Sequence, residues 1–250
     1  MFAALVVPTF AHAERLVETR EIVRGDFLAP QYSPDGRQIL LTASQLRGLY
    51  VLADGSVSEL TDAAEAGVHA KWTSDGSIHY RALSNGTRRD LVIGRDRAIR
   101  AAAATSPVAF TQDDRMYVVD RSKRLARIGS GDRFFGAVIA PDGDKVVFQG
   151  LETGLYLYIR SSGALRYIGP GTAPSWSPDS TRLAYEVTED DGHMIVASDL
   201  YIYTLAADRA EPVTTTDRAI ERRPSFAPSG NALVFDDNTG GIFVGRLEAR

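Results

Sequence analysis

The sequence predicts an all-β protein, a six-bladed β-propeller whose ring is closed by its N-terminal strand. Three observations predict this fold: a short turn phrase occurs six times, apolar strand-like runs flank each copy, and the copies are spaced at regular intervals. The mean spacing is about 39 residues, and repeats of roughly 40 residues built from four short strands are typical of propeller blades. The repeat predicts architecture, whereas function has to be argued from individual side chains.

The turn phrase is clearest at Tyr32-Ser33-Pro34-Asp35-Gly36. Proline presets φ at the first central position of a tight turn, aspartate bonds the backbone just ahead of itself, and glycine tolerates positive φ. The apolar strands on either side of the turn are expected to pair antiparallel. The fourth residues of the six copies are Asp35, Asp75, Asp113, Asp142, Asp179 and Ser229.

A third strand follows the turn pair in most units, for example at residues 48–52, 154–159 and 199–205. A fourth strand comes after a further turn, as at residues 57–61 and 164–168. Alternating apolar and polar residues favour half-buried strands over helices. Four strands in each of six units complete the predicted propeller.

The units are unequal in length. The third, residues 107–135, is short; it takes Phe110–Asp114 as its turn phrase and Met116–Val119 as its second strand. The fifth, residues 173–222, is long because an acidic insertion at residues 188–194 separates its second and third strands.

The sixth unit supplies only three strands, and an open strand edge would invite aggregation. Residues 15–22 alternate like a strand but belong to no unit. We therefore predict that residues 14–22 pair with residues 242–247 and close the ring.

Composition narrows the functional classes. The 250 residues are 44% hydrophobic and 24% charged with a net charge of −4, which predicts one folded domain over residues 14–250 and no nucleic-acid partner. No apolar run is long enough to span a membrane. The absence of cysteine excludes disulfides, thiolate zinc sites and cysteine nucleophiles.

The N-terminus carries an apolar stretch at residues 2–7 and a small-x-small pattern at Ala11-His12-Ala13. This pattern resembles the end of a secretory signal peptide, although no Lys or Arg precedes it. We therefore expect residues 1–13 to be a signal segment and the protein to be a periplasmic or secreted monomer.

Residues 29–41, 173–185 and 199–204 resemble the TolB-type β-propeller repeat. The resemblance covers roughly residues 14–250. TolB also carries an N-terminal α/β domain, for which this chain has no room, and its propeller binds a peptidoglycan-associated lipoprotein. The resemblance therefore implies a stand-alone TolB-like propeller that binds a protein or peptide in the bacterial cell envelope.

Motifs for catalysis are absent from the sequence: it contains no Gly-x-Ser-x-Gly elbow, no His-Glu-x-x-His zinc motif and no phosphate-binding loop. Acidic clusters such as residues 189–192 and 236–238 do not match EF-hand spacing. We expect a non-enzymatic protein without a cofactor. The alternative is a calcium-dependent, lactonase-type hydrolase whose ion is held in the central channel by carboxylates from several blades, an arrangement that linear spacing does not reveal.

The binding site is predicted from a departure within the repeat. Three residues before the first residue of the turn phrase, four units have Ala, Gly or Pro, whereas two have His69 and Arg223. First strands line the channel of a propeller, so these residues predict a polar patch at its mouth. Arginine and exposed aromatics are favoured in binding patches. The predicted partner-binding residues are His69, Arg133, Phe135, Glu221, Arg222 and Arg223.

Overall fold

The computed structural model describes residues 14–84, 86–103, 108–128, 131–216 and 219–249. The predicted signal segment, residues 1–13, lies outside the described residues. The described chain forms six small antiparallel sheets, the blades of a six-bladed β-propeller, and the predicted fold class is confirmed. The short 3-10 helix Ser44–Leu46 is the one helical segment within these ranges.

Strands are numbered in chain order, beginning with β1 (Glu14–Arg24). Blade 1 consists of β2 (Phe27–Tyr32), β3 (Ile39–Ala43), β4 (Leu49–Ala53) and β5 (Ser56–Thr61). Blade 2 consists of β6 (Lys71–Trp72), β7 (Ile78–Ser84), β8 (Thr87–Ile93) and β9 (Ile99–Ala101). Blade 3 consists, in the described residues, of β10 (Ala109–Gln112), β11 (Arg115–Val119) and β12 (Leu125–Ile128).

The second half of the chain supplies the other three blades. Blade 4 consists of β13 (Phe134–Ile139), β14 (Lys145–Gly150), β15 (Gly154–Ile159) and β16 (Ala164–Gly169). Blade 5 consists of β17 (Thr172–Trp176), β18 (Arg182–Asp190), β19 (Ile195–Thr204) and β20 (Arg209–Pro212). Blade 6 consists of β21 (Glu221–Phe226), β22 (Ala232–Asp237) and β23 (Gly241–Ala249), with β1 as its outermost strand.

The N-terminal strand closes the ring as predicted. Strand β1 pairs antiparallel with β23, from Glu14 opposite Ala249 to Arg24 opposite Gly241. The Glu14 carboxylate also forms an ion pair with Arg182 Nη1 of blade 5, at 2.6 Å. One strand thus completes blade 6 and ties it to its neighbour.

The first strand of a four-stranded blade begins at one face of the ring, here called the upper face, and ends at the opposite, lower face. The turn phrase lies at the lower face and returns the chain upward. Its side chains stabilise that turn: the Ser33 hydroxyl donates to Asp35 at 2.7 Å, and Asp35 accepts from the backbone N–H of Arg37. Ser177 and Asp179 repeat the arrangement, so the phrase has a structural role.

In blade 3, the prediction that Phe110–Asp114 is the third turn phrase is wrong. The N–H of Phe134, at the upper start of β13, donates to the carbonyl of Asp114, so the β10–β11 turn lies at the upper face. The β11–β12 turn lies at the lower face, where Arg121 pairs with Asp144 at 3.0 Å. Strands β10, β11 and β12 are therefore the second, third and fourth strands of their blade. The described residues contain no first strand for this blade, and residues 104–107 lie outside them.

The core is divided among the contacts between neighbouring blades. Buried apolar clusters join blades 1 and 2, 3 and 4, 4 and 5, 5 and 6, and 6 and 1. Aromatic residues of the turn phrase belong to these contacts: Trp176 of blade 5 is buried, and its indole N–H donates to the carbonyl of Val138 in blade 4. No such cluster joins blades 2 and 3 in the part of the chain that the structure describes.

The first strands share a bulge near the upper face. Residues Ala29, Gly136, Ala173 and Arg223 occupy it and have φ values of 54°, 66°, 52° and 48°. The strand register shifts at each of these positions. Only glycine adopts this left-handed conformation freely, so small residues are expected at the bulge. Pro107, which the sequence aligned with this position, lies outside the described residues.

Candidate functional site

The predicted residues Glu221, Arg222 and Arg223 lie together at the upper start of β21, the first strand of blade 6. Arg222 donates from Nε and Nη2 to Glu186 Oε1 of β18, at 3.0 and 2.8 Å. Arg223 donates from Nε to Asp236 Oδ2 of β22 at 2.7 Å. Two arginines beside the channel are thus each fixed by one carboxylate.

Both carboxylates are buried and receive further hydrogen bonds. Glu186 accepts the N–H of Arg223 at 2.6 Å and the hydroxyl of Thr172 at 2.8 Å. Asp236 accepts the N–H of Ala29 from blade 1 at 2.5 Å. The network therefore links blades 5, 6 and 1 at the upper end of the channel.

The two carboxyls titrate differently because their hydrogen bonding differs. Burial opposes ionisation of Glu186, but the bonds from Arg222, the Arg223 N–H and Thr172 hold its pKa below the ordinary value. At Asp236 burial outweighs the bonds from Arg223 and Ala29 and raises the pKa to about 6. Asp236 Oδ1 is also buried without a hydrogen-bond partner among the described residues, in line with a carboxyl that holds its proton readily.

Arg223 combines a long cationic side chain with the left-handed bulge, where the equivalent residues are alanine or glycine. Nonglycine residues in this region cost of order 1–3 kcal/mol and persist where their surroundings hold them in place. The bond to Asp236 supplies that constraint. Nη1 and Nη2 of Arg223 contact no acceptor among the described residues, so they are available to a ligand.

Glu221 faces a different environment from the two arginines beside it. It is buried, and both of its carboxylate oxygens accept the hydroxyl of Thr216 at 3.0 Å. Burial raises the pKa of Glu221. It lines a pocket of about 320 Å³ together with Thr214, Thr215 and the buried ring of Phe235. Its carboxyl is therefore not a member of the arginine network.

His69 lies in the loop before β6 in blade 2 and is exposed. Partial desolvation and the positive charges of Arg81 and Lys71 lower its pKa, against the opposing charge of Asp90. Arg81 itself forms a bidentate pair with Asp90 at 2.8 and 3.1 Å. His69 thus sits beside a closed ion pair and away from the blade 6 arginines.

Arg133 and Phe135 lie at the upper start of blade 4. Phe135 is 37% exposed, whereas its neighbour Phe134 is buried edge-on against Phe148. Arg133 lines a cleft of about 400 Å³ between blades 3 and 4. The six predicted residues therefore share the upper face but fall in three sectors, and only residues 221–223 are adjacent.

The sequence did not identify the carboxylate partners Glu186 and Asp236. They occupy the same register in their second strands as Thr42 and Gln149. In each blade this is three residues beyond the residue that pairs with the first residue of the turn phrase. Aligning the second strands would have shown that this register is polar in several blades. The ion pairs themselves join different strands and blades, so spacing alone does not reveal them.

The sequence also missed a projecting hairpin on the upper face. Strands β18 and β19 run past the level at which Ser198 donates its hydroxyl to the Glu221 carbonyl at 2.6 Å. Residues 195–197 extend the strand beyond Ser198, and at about 3.3 Å per residue they place the tip of the hairpin roughly 10 Å beyond that contact with β21. Met194 and Val196 near this tip are 71% and 54% exposed. The acidic insertion therefore carries apolar side chains to the surface.

The arginine network does not have the ligands of a calcium site. Its two buried carboxylates, Glu186 and Asp236, are already bound by Arg222 and Arg223. A hard cation would require several oxygen ligands free of such partners. Within the described ranges, no group of three or more acidic or histidine side chains is arranged to hold a metal ion.

No protein-family model matches the chain. Among solved structures, it is similar to a gluconolactonase from Xanthomonas campestris, with a TM-score of 0.65 and 11% identity over 94% of this chain and 91% of that one. It is also similar to the tricorn protease, with a TM-score of 0.56 and 14% identity over 91% of this chain but 26% of that one. At these identities the similarity shows the propeller fold alone.

A TolB-assigned protein from Agrobacterium tumefaciens is also among the structural neighbours, with 17% identity over 91% of this chain and 79% of that one. Its TM-score of 0.42 is lower than those of the other two neighbours. The six sheets of the structure confirm the predicted propeller architecture, and the TolB-specific part of the resemblance stays a prediction. No helix in the described ranges has the length and apolarity needed to cross a membrane.

Proposed function

We propose that this chain is a non-catalytic binding propeller that holds a protein or peptide on its upper face, in the periplasm or outside the cell. The observation that carries the proposal is Arg223, held in a strained conformation beside the channel by a buried carboxylate. Its Nη1 and Nη2 atoms contact no acceptor among the described residues. Arginine in such a fixed geometry is suited to carboxylates and backbone carbonyls.

The hairpin supplies the apolar part of the proposed surface. Met194 and Val196 are exposed next to the start of β21, and exposed apolar side chains rimmed by polar residues mark interaction sites. A bound peptide would place apolar side chains against the hairpin and its polar groups on Arg222 and Arg223. Phe135 adds a second apolar contact in the neighbouring sector.

The test begins with a peptide selected from a random library against residues 14–250. Calorimetry then compares the wild type with Val196→Asp and with Leu165→Asp, a matched control on the outermost strand of blade 4 that is 46% exposed. We expect Val196→Asp to weaken binding about tenfold or more, because it places a charge in an apolar contact, and Leu165→Asp to have no effect.

Arg223→Lys is a second variant, which keeps the charge but loses the planar fork. It should also weaken binding while the fold is retained. Failure to select any peptide, or equal effects of Val196→Asp and Leu165→Asp, would contradict the proposal.

Calcium provides a test between this proposal and the hydrolase alternative. A hydrolase with its ion in the channel predicts that millimolar calcium raises the melting temperature, since a ligand bound only to the native state stabilises it. The binding propeller predicts the same melting temperature with calcium or with a chelator. A calcium-dependent rise that Asp236→Asn abolishes would favour the hydrolase.

A further inference from the structure

The cleft between blades 3 and 4 has a charge pattern that the proposed function does not yet use. The β10–β11 turn, β12 and the start of β13 form its walls, and the β14–β15 turn closes one end. Its volume of about 400 Å³ is within the range of ligand-binding clefts. Seven charged side chains line it, three basic and four acidic, and they are described in turn below.

The cations of the cleft are Arg115, Arg127 and Arg133. None of them forms an ion pair within the described ranges, in contrast to Arg81 with Asp90 and Arg88 with Glu65. The guanidinium groups of the three cleft arginines are exposed and are therefore free to bind an acceptor placed in the cleft.

The anions are Asp113, Asp114, Asp132 and Glu152. The carboxylates of Asp113, Asp114 and Glu152 accept no hydrogen bond from the residues that the structure describes. Asp132, which also lines the cleft, differs from them. Its carboxylate accepts the N–H groups of Glu152 and Thr153 and the Thr153 hydroxyl, so it is engaged in fixing the β14–β15 turn.

Charges of both signs therefore face one cavity without pairing. A purely anionic ligand would be attracted to the three arginines and repelled by the carboxylates. A purely cationic ligand would be attracted to the carboxylates and repelled by the arginines. A ligand with both signs gains the attraction and avoids the repulsion. Arginine forks bind carboxylates, and carboxylates bind guanidinium or ammonium groups.

We infer that this cleft binds a mixed-charge segment of a peptide, in which acidic and basic side chains lie next to one another. The inference rests on the proposed function, because it gives the chemical character of the peptide held on the upper face. Phe135 is exposed beside Arg133 and would contact the aliphatic parts of the peptide's side chains.

The experiment measures fluorescence anisotropy of three labelled hexapeptides with residues 14–250: alternating Glu and Arg, all Glu, and all Arg. We expect the alternating peptide to bind most tightly. Its affinity should fall between about 20 mM and about 300 mM salt, because exposed charges are screened within a few ångströms at high salt.

Charge-reversal variants locate the site. Arg133→Glu and Glu152→Lys should each weaken the alternating peptide about tenfold. Glu152→Lys should in addition strengthen binding of the all-Glu peptide. Arg89→Glu is the matched control, since Arg89 is an exposed arginine of β8 without an ion pair among the described residues. All three positions are on the surface, so the variants are expected to fold.

The inference is overturned if a single-sign peptide binds as tightly as the alternating one, if the alternating peptide does not bind, or if Arg89→Glu weakens it as much as Arg133→Glu does. Binding of the library-selected peptide shows whether a negative result concerns the cleft alone or also the proposed function. If that peptide still depends on Val196 while the cleft variants have no effect, the binding propeller stands and the mixed-charge cleft is wrong.

Discussion

Arg223 shows how a single residue can depart from its repeat for a physical reason. The bulge at this position favours residues without a long side chain, and the other described bulges have alanine or glycine. Arg223 adopts the same conformation because its guanidinium neutralises Asp236, which is completely buried. The sequence revealed the departure, but the conformation and the partner became evident only in three dimensions.

Removing the guanidinium should destabilise the protein. Arg223→Ala leaves the buried Asp236 charge unpaired, which is expected to cost about 3 kcal/mol of unfolding free energy. Urea denaturation measures the loss. Arg121→Ala is the control, because it removes an exposed ion pair with Asp144 on the lower face and should cost less than about 1 kcal/mol. The double variant Arg223→Ala/Asp236→Asn should recover much of the loss; no recovery would show that the buried charge is not the cause.

Asp236 should also make stability depend on pH. Its folded-state pKa of about 6 lies above the ordinary value of 3.8, so the folded protein keeps a proton that the unfolded chain releases. This contribution to stability is fully present below the unfolded pKa and is lost as pH rises through about 6. The unfolding free energy of wild type relative to Asp236→Asn should therefore fall between pH 4 and pH 7, by roughly 2–3 kcal/mol. A relative stability that rises over this interval would contradict the assignment.

At the scale of elements, the clearest confirmed prediction is that the N-terminal strand pairs with the last blade. Alternation in residues 15–22, together with a sixth unit short of one strand, predicted the pairing of β1 with β23. The argument worked because an unpaired edge is costly wherever it occurs, so a leftover strand and a vacant edge belong together.

Deleting residues 14–22 should lower the melting temperature by about 10 °C or more, since it uncovers β23 and removes the Glu14–Arg182 ion pair. Differential scanning calorimetry makes the comparison. The control is the chain that begins at residue 14, which lacks only the predicted signal segment. Equal melting temperatures for the two chains would mean that β1 does not hold the ring closed.

Blade 3 shows where reasoning from a motif fails. Phe110–Asp114 resembles the turn phrase because any hairpin between apolar strands favours aspartate in its turn. The better signal was the third strand, where Met116-Tyr117-Val118 matches Leu155-Tyr156-Leu157 in sequence and in burial. The third strands of blades 3 and 4 both bury alternate residues between blades, so their pattern is more constrained than that of an exposed turn.

At the scale of the whole molecule, the apolar contacts around the ring are uneven. Buried clusters span five of the six blade contacts in the described chain, and the contact between blades 2 and 3 has none. Strand β9 on one side of it is exposed along its length, and β10 on the other side is only partly buried. Cooperative units with few buried contacts open most readily.

Amide hydrogen exchange should therefore be fastest next to this contact. We expect residues 99–101 and 109–112 to exchange well before residues 232–237 of β22, which are flanked by paired strands in a continuous core. Mass spectrometry of peptic fragments would resolve these segments. Uniform protection across the three segments would show that the contact between blades 2 and 3 opens no more readily than the core of blade 6.

The pairing of β1 with β23 has a consequence for biosynthesis. Strand β1 is translated long before its partner β23, because more than 200 residues separate Arg24 from Gly241. At about 5–20 residues per second their translation takes roughly 10–50 s. During that time blade 1 can fold against blade 2, while the N-terminal segment has no partner of its own. The ring therefore closes only once β23 has been made, and a ribosome that stalls before Gly241 leaves a chain with five blades and an open ring.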